Sequence, residues 1–390
     1  MKAPPLALYA HFPWCVQKCP YCDFNSYTLK ETLPEQRYID TLRRDLDAQL
    51  PEVAGRPFIS VFLGGGTPSL FSPAAIGQIL AHARSAAGFV DDIEVTLEAN
   101  PGTIERGKFA EYRAAGVTRV SLGAQSFDAR QLEKLGRIHS ADETRRAAQE
   151  LHASGLSNFN LDLMYALPGQ TATEALADLD AALDLDPAHV SQYHLTIEPG
   201  TVFAAAPPPQ PGDEVVEAML DESLNALSHR GFEHYEVSGY ARSGARCRHN
   251  LNYWSFGDYV GIGAGAHGKI TSEQGIVRTQ RTREPRRYLA TDMTAPVNSE
   301  PVARKPVAAR ELPFEFAMNA FRLVEGFTDS LFSDRTGLPI STLESALAPQ
   351  IARGLVLRDG AGWRATPHGL RFLNEILVSL LPDPESPTKR

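Results

Sequence analysis

The stretch His11-Phe12-Pro13-Trp14-Cys15-Val16-Gln17-Lys18-Cys19-Pro20-Tyr21-Cys22-Asp23-Phe24 places three cysteines at spacings of four and three residues. Three thiolates so spaced can hold three irons of a cubane 4Fe-4S cluster and leave the fourth iron without a protein ligand. The open iron can chelate the amino and carboxylate groups of S-adenosylmethionine (SAM). Electron transfer from the reduced cluster would then cleave the sulfonium, chemistry that belongs to the cofactor. Cys15, Cys19 and Cys22 are therefore the expected metal ligands. Structural zinc is the competing reading, but it takes four ligands, usually as two short pairs. The remaining cysteine, Cys247, lies in a distant segment. Buried free cysteines would not account for Lys18-Cys19-Pro20 in a polar loop just after an apolar run.

That run, Leu6–Phe12, opens a repeating pattern. Strand signals at 58–63, 93–98, 119–125, 158–167 and 189–197 alternate with helical stretches. The helix starts carry capping signals at Thr32/Glu35, Ser72-Pro73, Ser140/Glu143 and Thr171/Glu174. Six strand–helix units in series mean parallel strands with crossover helices. The pattern predicts an α/β fold, a partial (β/α)6 TIM-like barrel rather than a doubly wound sheet. Polar and glycine-rich residues cluster at the strand ends, the face where such barrels place chemistry. Residues 204–212, with Pro207-Pro208-Pro209, read as a stiff connector, followed by a helix over 213–229 and a strand near 234–240.

The texture changes after about residue 290. Helical stretches at 311–324 and 341–353, a hairpin signal at 355–360 and a last helix over 367–381 predict a small C-terminal helical, winged-helix-like domain. The expected organisation is 1–290, 291–381 and a disordered tail over 382–390.

Hydrophobic residues make up 43% and charged residues 22% of the 390 positions, enough to bury a core without staples. A formal net charge of −9 argues against broad nucleic-acid binding, which needs a basic footprint. No stretch approaches the roughly 18 apolar residues of a spanning helix, and Met1-Lys2-Ala3-Pro4-Pro5 opens no signal peptide. Four cysteines, three of them within eight positions, fit no disulfide framework and point to a reducing cytoplasm.

Leu63-Gly64-Gly65-Gly66-Thr67-Pro68-Ser69 ends the second strand. Glycines there let backbone groups approach a ligand, and no Gly-Lys-Ser/Thr follows, so it is not a phosphate loop. A plain tight turn stays open as the alternative. Glu98, Gln125, Arg137 and Asp162 fall at or just beyond successive strand ends. Singly, each reads as a solvated or structural polar residue. Together on one barrel face they would suit a zwitterionic ligand with ribose hydroxyls, Arg137 offering its fork to a carboxylate. Glu98 and Asp162 could accept from the amino group or the ribose.

The ordered motifs YAHFPWCVQKCPYCDF, GGGTPS, LEANP, SLGAQSF and NLDLMYALPGQT resemble the radical-SAM group of oxygen-independent coproporphyrinogen III oxidases and their relatives. The resemblance runs over nearly the whole chain and implies a radical-SAM barrel. It implies SAM contacts at Tyr9, Tyr21, Gly65, Gly66, Thr67, Glu98, Gln125, Arg137 and Asp162. The oxidases of the group carry a further cysteine two positions after the third ligand, where this sequence has Phe24, and a longer arm before the equivalent of Tyr9. HNLNYW, from His249 to Trp254, is instead similar to the H-N-x-x-Y-W motif of the haem chaperones in the group.

That branch implies haem as cargo, delivered to haemoproteins such as respiratory enzymes. It implies a cytoplasmic protein touching the inner face of the membrane peripherally, and whether it forms a homodimer stays open. The alternative is an oxidase that decarboxylates propionates by radical chemistry, so whether the chain is an enzyme stays open. No catalytic residue is assigned. His249 is the provisional haem ligand, with Tyr253 and Trp254 as flat surface and Arg246 and Arg248 as propionate partners. A structural segment with a satisfied histidine and a core tryptophan remains the bland alternative. His267, in GIGAGAHG, lies at a glycine-rich strand end where it could line the cofactor cavity, and is set outside the primary set.

Overall fold

The computed structural model describes residues 2–53, 55–102, 107–291 and 302–382. The expected tail over 382–390 lies outside the described residues from 383 onward. The six strands read from the sequence are β1 (Leu6–Phe12), β2 (Phe58–Gly65), β3 (Phe89–Ala99), β4 (Arg119–Gln125), β5 (Phe159–Tyr165) and β6 (His189–His194). They pair in that order and all in parallel. Helices α1 (Glu35–Gln49), α2 (Pro73–Ala87), α3 (Phe109–Ala114), α4 (Ala129–Lys134), α5 (Ala141–Ala153) and α6 (Ala172–Leu183) cross between them. The chain is the partial barrel that the alternation predicts.

Period-two alternation decides which side chains face which layer. Leu6, Leu8, Ala10 and Phe12 of β1, Val61 and Leu63 of β2, and Val95 and Leu97 of β3 pack into the main core. Their alternates are polar and point into the barrel: Ser60, Glu94, Arg119, Asn160, His189 and Ser191 are all buried. Buried polar groups need partners. Asn160 donates to Ser121 and Asp162 at 2.7 and 2.8 Å, and its amide oxygen receives Ser191 at 3.0 Å.

Two features at the edges were not read from the sequence. After helix α7 (Asp213–His229), the expected strand near 234–240 is a tight pair, β7 (Glu233–Glu236) and β8 (Gly239–Ala241), antiparallel beside β6. The HNLNYW stretch is helix α8 (Arg248–Trp254), which packs on β2 and runs into β9 (Asp258–Ile262). β9 returns parallel to β1 on its free side, and β10 (His267–Ser272), β11 (Gly275–Arg281) and β12 (Val302–Pro306) extend the sheet antiparallel. The sheet order is thus β12-β11-β10-β9-β1-β2-β3-β4-β5-β6-β8-β7. β12 therefore rejoins the main sheet beyond residue 290, before the chain enters the second core.

Two helix starts carry both bonds of their capping boxes, at Ser140/Glu143 and Thr171/Glu174, and Ser72 caps α2. The box expected at Thr32 does not form. The helix starts after Pro34, whose side chain has no acceptor to cap it, and the Glu35 carboxylate instead accepts the Ser72 N–H at 2.6 Å and its hydroxyl at 2.9 Å.

The C-terminal unit has its own core, built on Phe316, Phe332, Leu343, Leu347 and Trp363. Helices Leu312–Ala320, Asp329–Thr336 and Ser341–Ala352 precede the hairpin Val356–Asp359 with Gly362–Ala365, to which Phe327–Thr328 adds a third strand. This is the winged-helix-like order. The last helix breaks at Phe372 into Pro367–Arg371 and Leu373–Val378.

Candidate cofactor site

The cysteine loop leaves β1 and is closed where Trp14–Cys15 pairs with Tyr27–Thr28. Lys18 locks its interior by donating to the carbonyls of Phe24 and Ser26 at 3.0 and 3.2 Å. Cys15, Cys19 and Cys22 are each partly exposed free thiols. Burial pushes the Cys15 and Cys22 thiols up, and the neighbouring sulfurs add repulsion. The Thr67 hydroxyl beside Cys15 works the other way. Among the described residues, no three His, Cys, Asp or Glu side chains gather on one point as a mononuclear ion requires. A cubane asks for something else, one thiolate on each of three irons.

The glycine loop docks directly on the cysteine loop. Gly66 and Thr67 donate their N–H groups to the carbonyls of Phe12 and Trp14 at 2.7 and 2.8 Å. A Cβ at Gly66 would lie 2.6 Å from the Trp14 carbonyl oxygen, and one at Gly65, whose φ is +114°, would meet the His11 ring at 2.4 Å. Only glycine lets these two segments touch.

Arg137 spans the far side. It donates to Asn100 Oδ1 at 2.5 Å and to the Gly123 carbonyl at 2.9 Å, and its Nη1 lies 3.6 Å from Cys19 Sγ. Asn100 in turn donates to Thr67 Oγ1 at 3.0 Å. Cys19, Thr67, Asn100, Arg137 and His139 line a cavity of about 260 Å³. Tyr21 packs on Phe203, and burial raises its phenol.

Glu98 accepts the Gly65 N–H at 2.9 Å. Burial, with the Asp162 charge nearby, pushes its carboxyl up to about 7. Asp162 is raised too, chiefly by burial, although Asn160 and Ser121 donate to it. Gln125 adopts a left-handed backbone (φ 62°), a strained conformation for a residue with a side chain. Tyr9 donates to His11 Nδ1 at 2.9 Å, because His11 Nε2 spends its proton on the Asn25 carbonyl at 2.9 Å.

The cluster and SAM fit this site on two observations. The Gln125 Oε1 and Arg137 Nε atoms are buried without a hydrogen-bond partner, and such atoms call for a polar ligand. Beside Cys19 the cavity of about 260 Å³ lined by Thr67, Asn100 and Arg137 offers such a ligand room. Of the nine residues expected to contact SAM, Thr67 and Arg137 line the smaller cavity beside Cys19, and Tyr9, Gly65 and Glu98 line a larger one. Asn100, His11 and Asn25 complete the site and were not singled out. Asn100 sits in LEANP and His11 in YAHF, so their place beside assigned residues was the available signal.

His249 stands apart from the strand-end face. It is 1% exposed, inside the barrel, with Nδ1 3.0 Å from Ser60 Oγ and its ring stacked on Phe62 at 5.0 Å. Burial, with Arg119 nearby, drives its pKa down to about 3, so the ring is neutral. Arg246 is paired with Glu233 and Glu325, Arg248 with Asp92, and Trp254 lies under Arg322. These three are engaged away from the strand-end face. Tyr253 alone of that group reaches a second cavity of about 420 Å³, which Tyr9, Glu98, Phe24, His267 and Arg283 also line.

Residues 9–182 match the Radical SAM superfamily, and residues 307–372 match the HemN C-terminal domain. "Heme chaperone HemW" of Haemophilus influenzae is 46% identical over 97% of this chain and 99% of its own length. The chain belongs to the HemW family. The Escherichia coli HemW is 45% identical over 98% of this chain and 99% of its own. A Bos taurus relative of the family, "Radical S-adenosyl methionine domain-containing protein 1, mitochondrial", is 36% identical over 96% and 87%. In structure the chain resembles coproporphyrinogen III oxidase (HemN) from Escherichia coli, a radical SAM enzyme, with a TM-score of 0.80. That match covers 97% of this chain and 90% of the other at 22% identity, and shows the shared fold alone.

Proposed function

We propose that this HemW-family chain binds haem and delivers it to haemoproteins, and that Cys15, Cys19 and Cys22 hold a 4Fe-4S cluster whose open iron takes SAM. The observation that carries the reading is near-full-length identity of 45–46% to relatives named as haem chaperones. Phe24, where the oxidases carry a cysteine, supports it against decarboxylation. When bound, the cluster supplies the electron that cleaves a sulfonium. The chain's own part is to position: Arg137 faces the SAM carboxylate, Glu98 and Asp162 take its ammonium or ribose, and Tyr9, Tyr21, Gly65, Gly66, Thr67 and Gln125 shape the bed.

Respiratory haemoproteins as recipients, reached from the cytoplasmic side of a membrane, belong to the same proposal. Among the described residues no helix is long and apolar enough to cross one. The test is to reconstitute the protein anaerobically, titrate it with haemin, and in parallel offer coproporphyrinogen III with SAM and a reductant. Stoichiometric haem binding without decarboxylation is the expected result. SAM-dependent loss of propionate carboxyls would sink the chaperone reading in favour of the oxidase.

Glu98 adds a pH signature. Its carboxyl, raised to about 7, is ionised above that pH and protonated below it. SAM carries a positive sulfonium and ammonium, so its affinity is expected to fall as pH drops through about 7, the attraction being lost with the charge. Equilibrium dialysis of SAM between about pH 6 and 8 reads this out. A Glu98→Gln variant should bind weakly with a flat profile, and a flat wild-type profile would remove Glu98 from the SAM contacts.

A further inference from the structure

The larger cavity joins three parts of the chain that are remote in sequence, and glycines set their approach. A Cβ at Gly261 would lie 1.8 Å from the His267 carbonyl oxygen, so β10 can start directly over β9 only because that residue has no side chain. Gly265, with φ +84°, turns the chain between them, and a Cβ there would strike Asn25 at 2.2 Å. Asn25 donates to the carbonyls of Ala264 and Arg283, both at 2.9 Å, and thereby ties the end of the cysteine loop to the antiparallel arm. Phe24, His267 and Arg283 all line the cavity so formed.

The lining has a definite chemistry. Phe24 is 60% exposed, a large apolar ring with little covering it. Tyr253 and Tyr259 meet edge to face at 4.3 Å and add a second aromatic wall. Arg283 is exposed at the rim. His267 is also exposed, and its ring makes no hydrogen bond among the described residues. Partial burial and the guanidinium groups of Arg278 and Arg283 hold it below the usual histidine range, so it is neutral and able to ligate a metal. Tyr9, Gly65 and Glu98 of the SAM bed line the same cavity, so its occupant would lie against SAM. The aromatic walls, free imidazole and exposed guanidinium that complete the lining suit a flat, iron-bearing macrocycle with carboxylate arms.

We infer that haem seats in this cavity with His267 as its axial ligand and Arg283 facing a propionate, an inference that rests on the haem-binding reading above. His249 plays a different part. Its ring is enclosed by Phe62, Tyr9 and Tyr253. It supports the wall on which Tyr253 stands.

The test uses the full-length protein and ferric haemin. Wild type, His267→Gly and His249→Ala are titrated, reading the Soret band and the dissociation constant. In His267→Gly the imidazole-ligated spectrum disappears and the dissociation constant rises by about tenfold or more. Added free imidazole restores the spectrum, which a merely structural role would not allow. His249→Ala retains the ligand spectrum. Phe24→Ala weakens binding while leaving the spectrum in place. Wild-type spectrum and affinity in His267→Gly would overturn the assignment while leaving haem binding intact. Failure of the wild type itself to bind haemin would instead remove the haem reading, and the assignment with it.

Discussion

A Cys19→Ala variant is expected to emerge from anaerobic reconstitution without a cluster. Iron and acid-labile sulfide fall to background, the iron–sulfur absorption is lost, and SAM is no longer retained. The size of the effect follows from the absence of a substitute. Cys247 is the only other thiol in the sequence, and it is buried at the N-terminus of α8 with its sulfur 3.7 Å from Glu94 Oε1. Glu94 precedes Glu98 by four residues on β3, and a strand rises about 3.3 Å per residue, so Cys247 lies roughly 13 Å below the strand-end face. Burial pushes its thiol up to about 12, far from the thiolate a metal needs. The fold should be unaffected, because Cys19 sits in a partly exposed loop outside the main core. Near-wild-type thermal unfolding with no iron is the expected pair of results. Full iron occupancy would show that the cluster is held by another set of ligands.

Much of this site was legible because its signals are local. Cysteine spacing, a glycine run after a strand and polar residues at strand ends all lie within a few positions of one another. The capping boxes at Ser140 and Thr171 were readable for the same reason, each closing over three residues. What escaped were relations across the chain. Asn25 bonds to Ala264 across 239 residues, and Glu35 accepts from Ser72, 37 residues away. No period or spacing encodes either. The His249 motif is conspicuous in sequence, and the fold adds that its ring is enclosed inside the barrel with Nε2 unpartnered. His267 carried a weaker motif, and the antiparallel arm that presents it depends on a return of β9 beside β1 that alternation alone does not announce.

That arm is fastened by a buried charge, which leads to the largest expected change in stability. Asp258 is fully buried at the start of β9 and accepts from Arg56 at 2.9 Å, Lys269 at 3.0 Å, and the Thr271 N–H and hydroxyl at 3.0 and 2.7 Å. Lys269 is itself 1% exposed, on β10. Burial pulls its ammonium down to about 8, with Asp258 working to hold the proton on. Removing Asp258 leaves a buried cation facing the carbonyls of Phe256 and Gly257, the Thr271 hydroxyl and the Phe256 ring, with no opposite charge. Breaking one side of such a pair destabilises by about 3–5 kcal/mol, whereas replacing both partners is often close to neutral. Asp258→Ala is therefore expected to lose about that much in urea unfolding, and a double variant that adds Lys269→Met to recover a large share. In the single variant the unfolded chain holds the Lys269 proton more tightly than the folded one, so stability should rise with pH toward the ordinary lysine range. A loss below about 1 kcal/mol would mean that the pair contributes little beyond its desolvation. A loss of the expected size, accompanied by weaker haemin binding in the surviving folded fraction, would tie the ladder between β9 and β10 to the wall that carries His267.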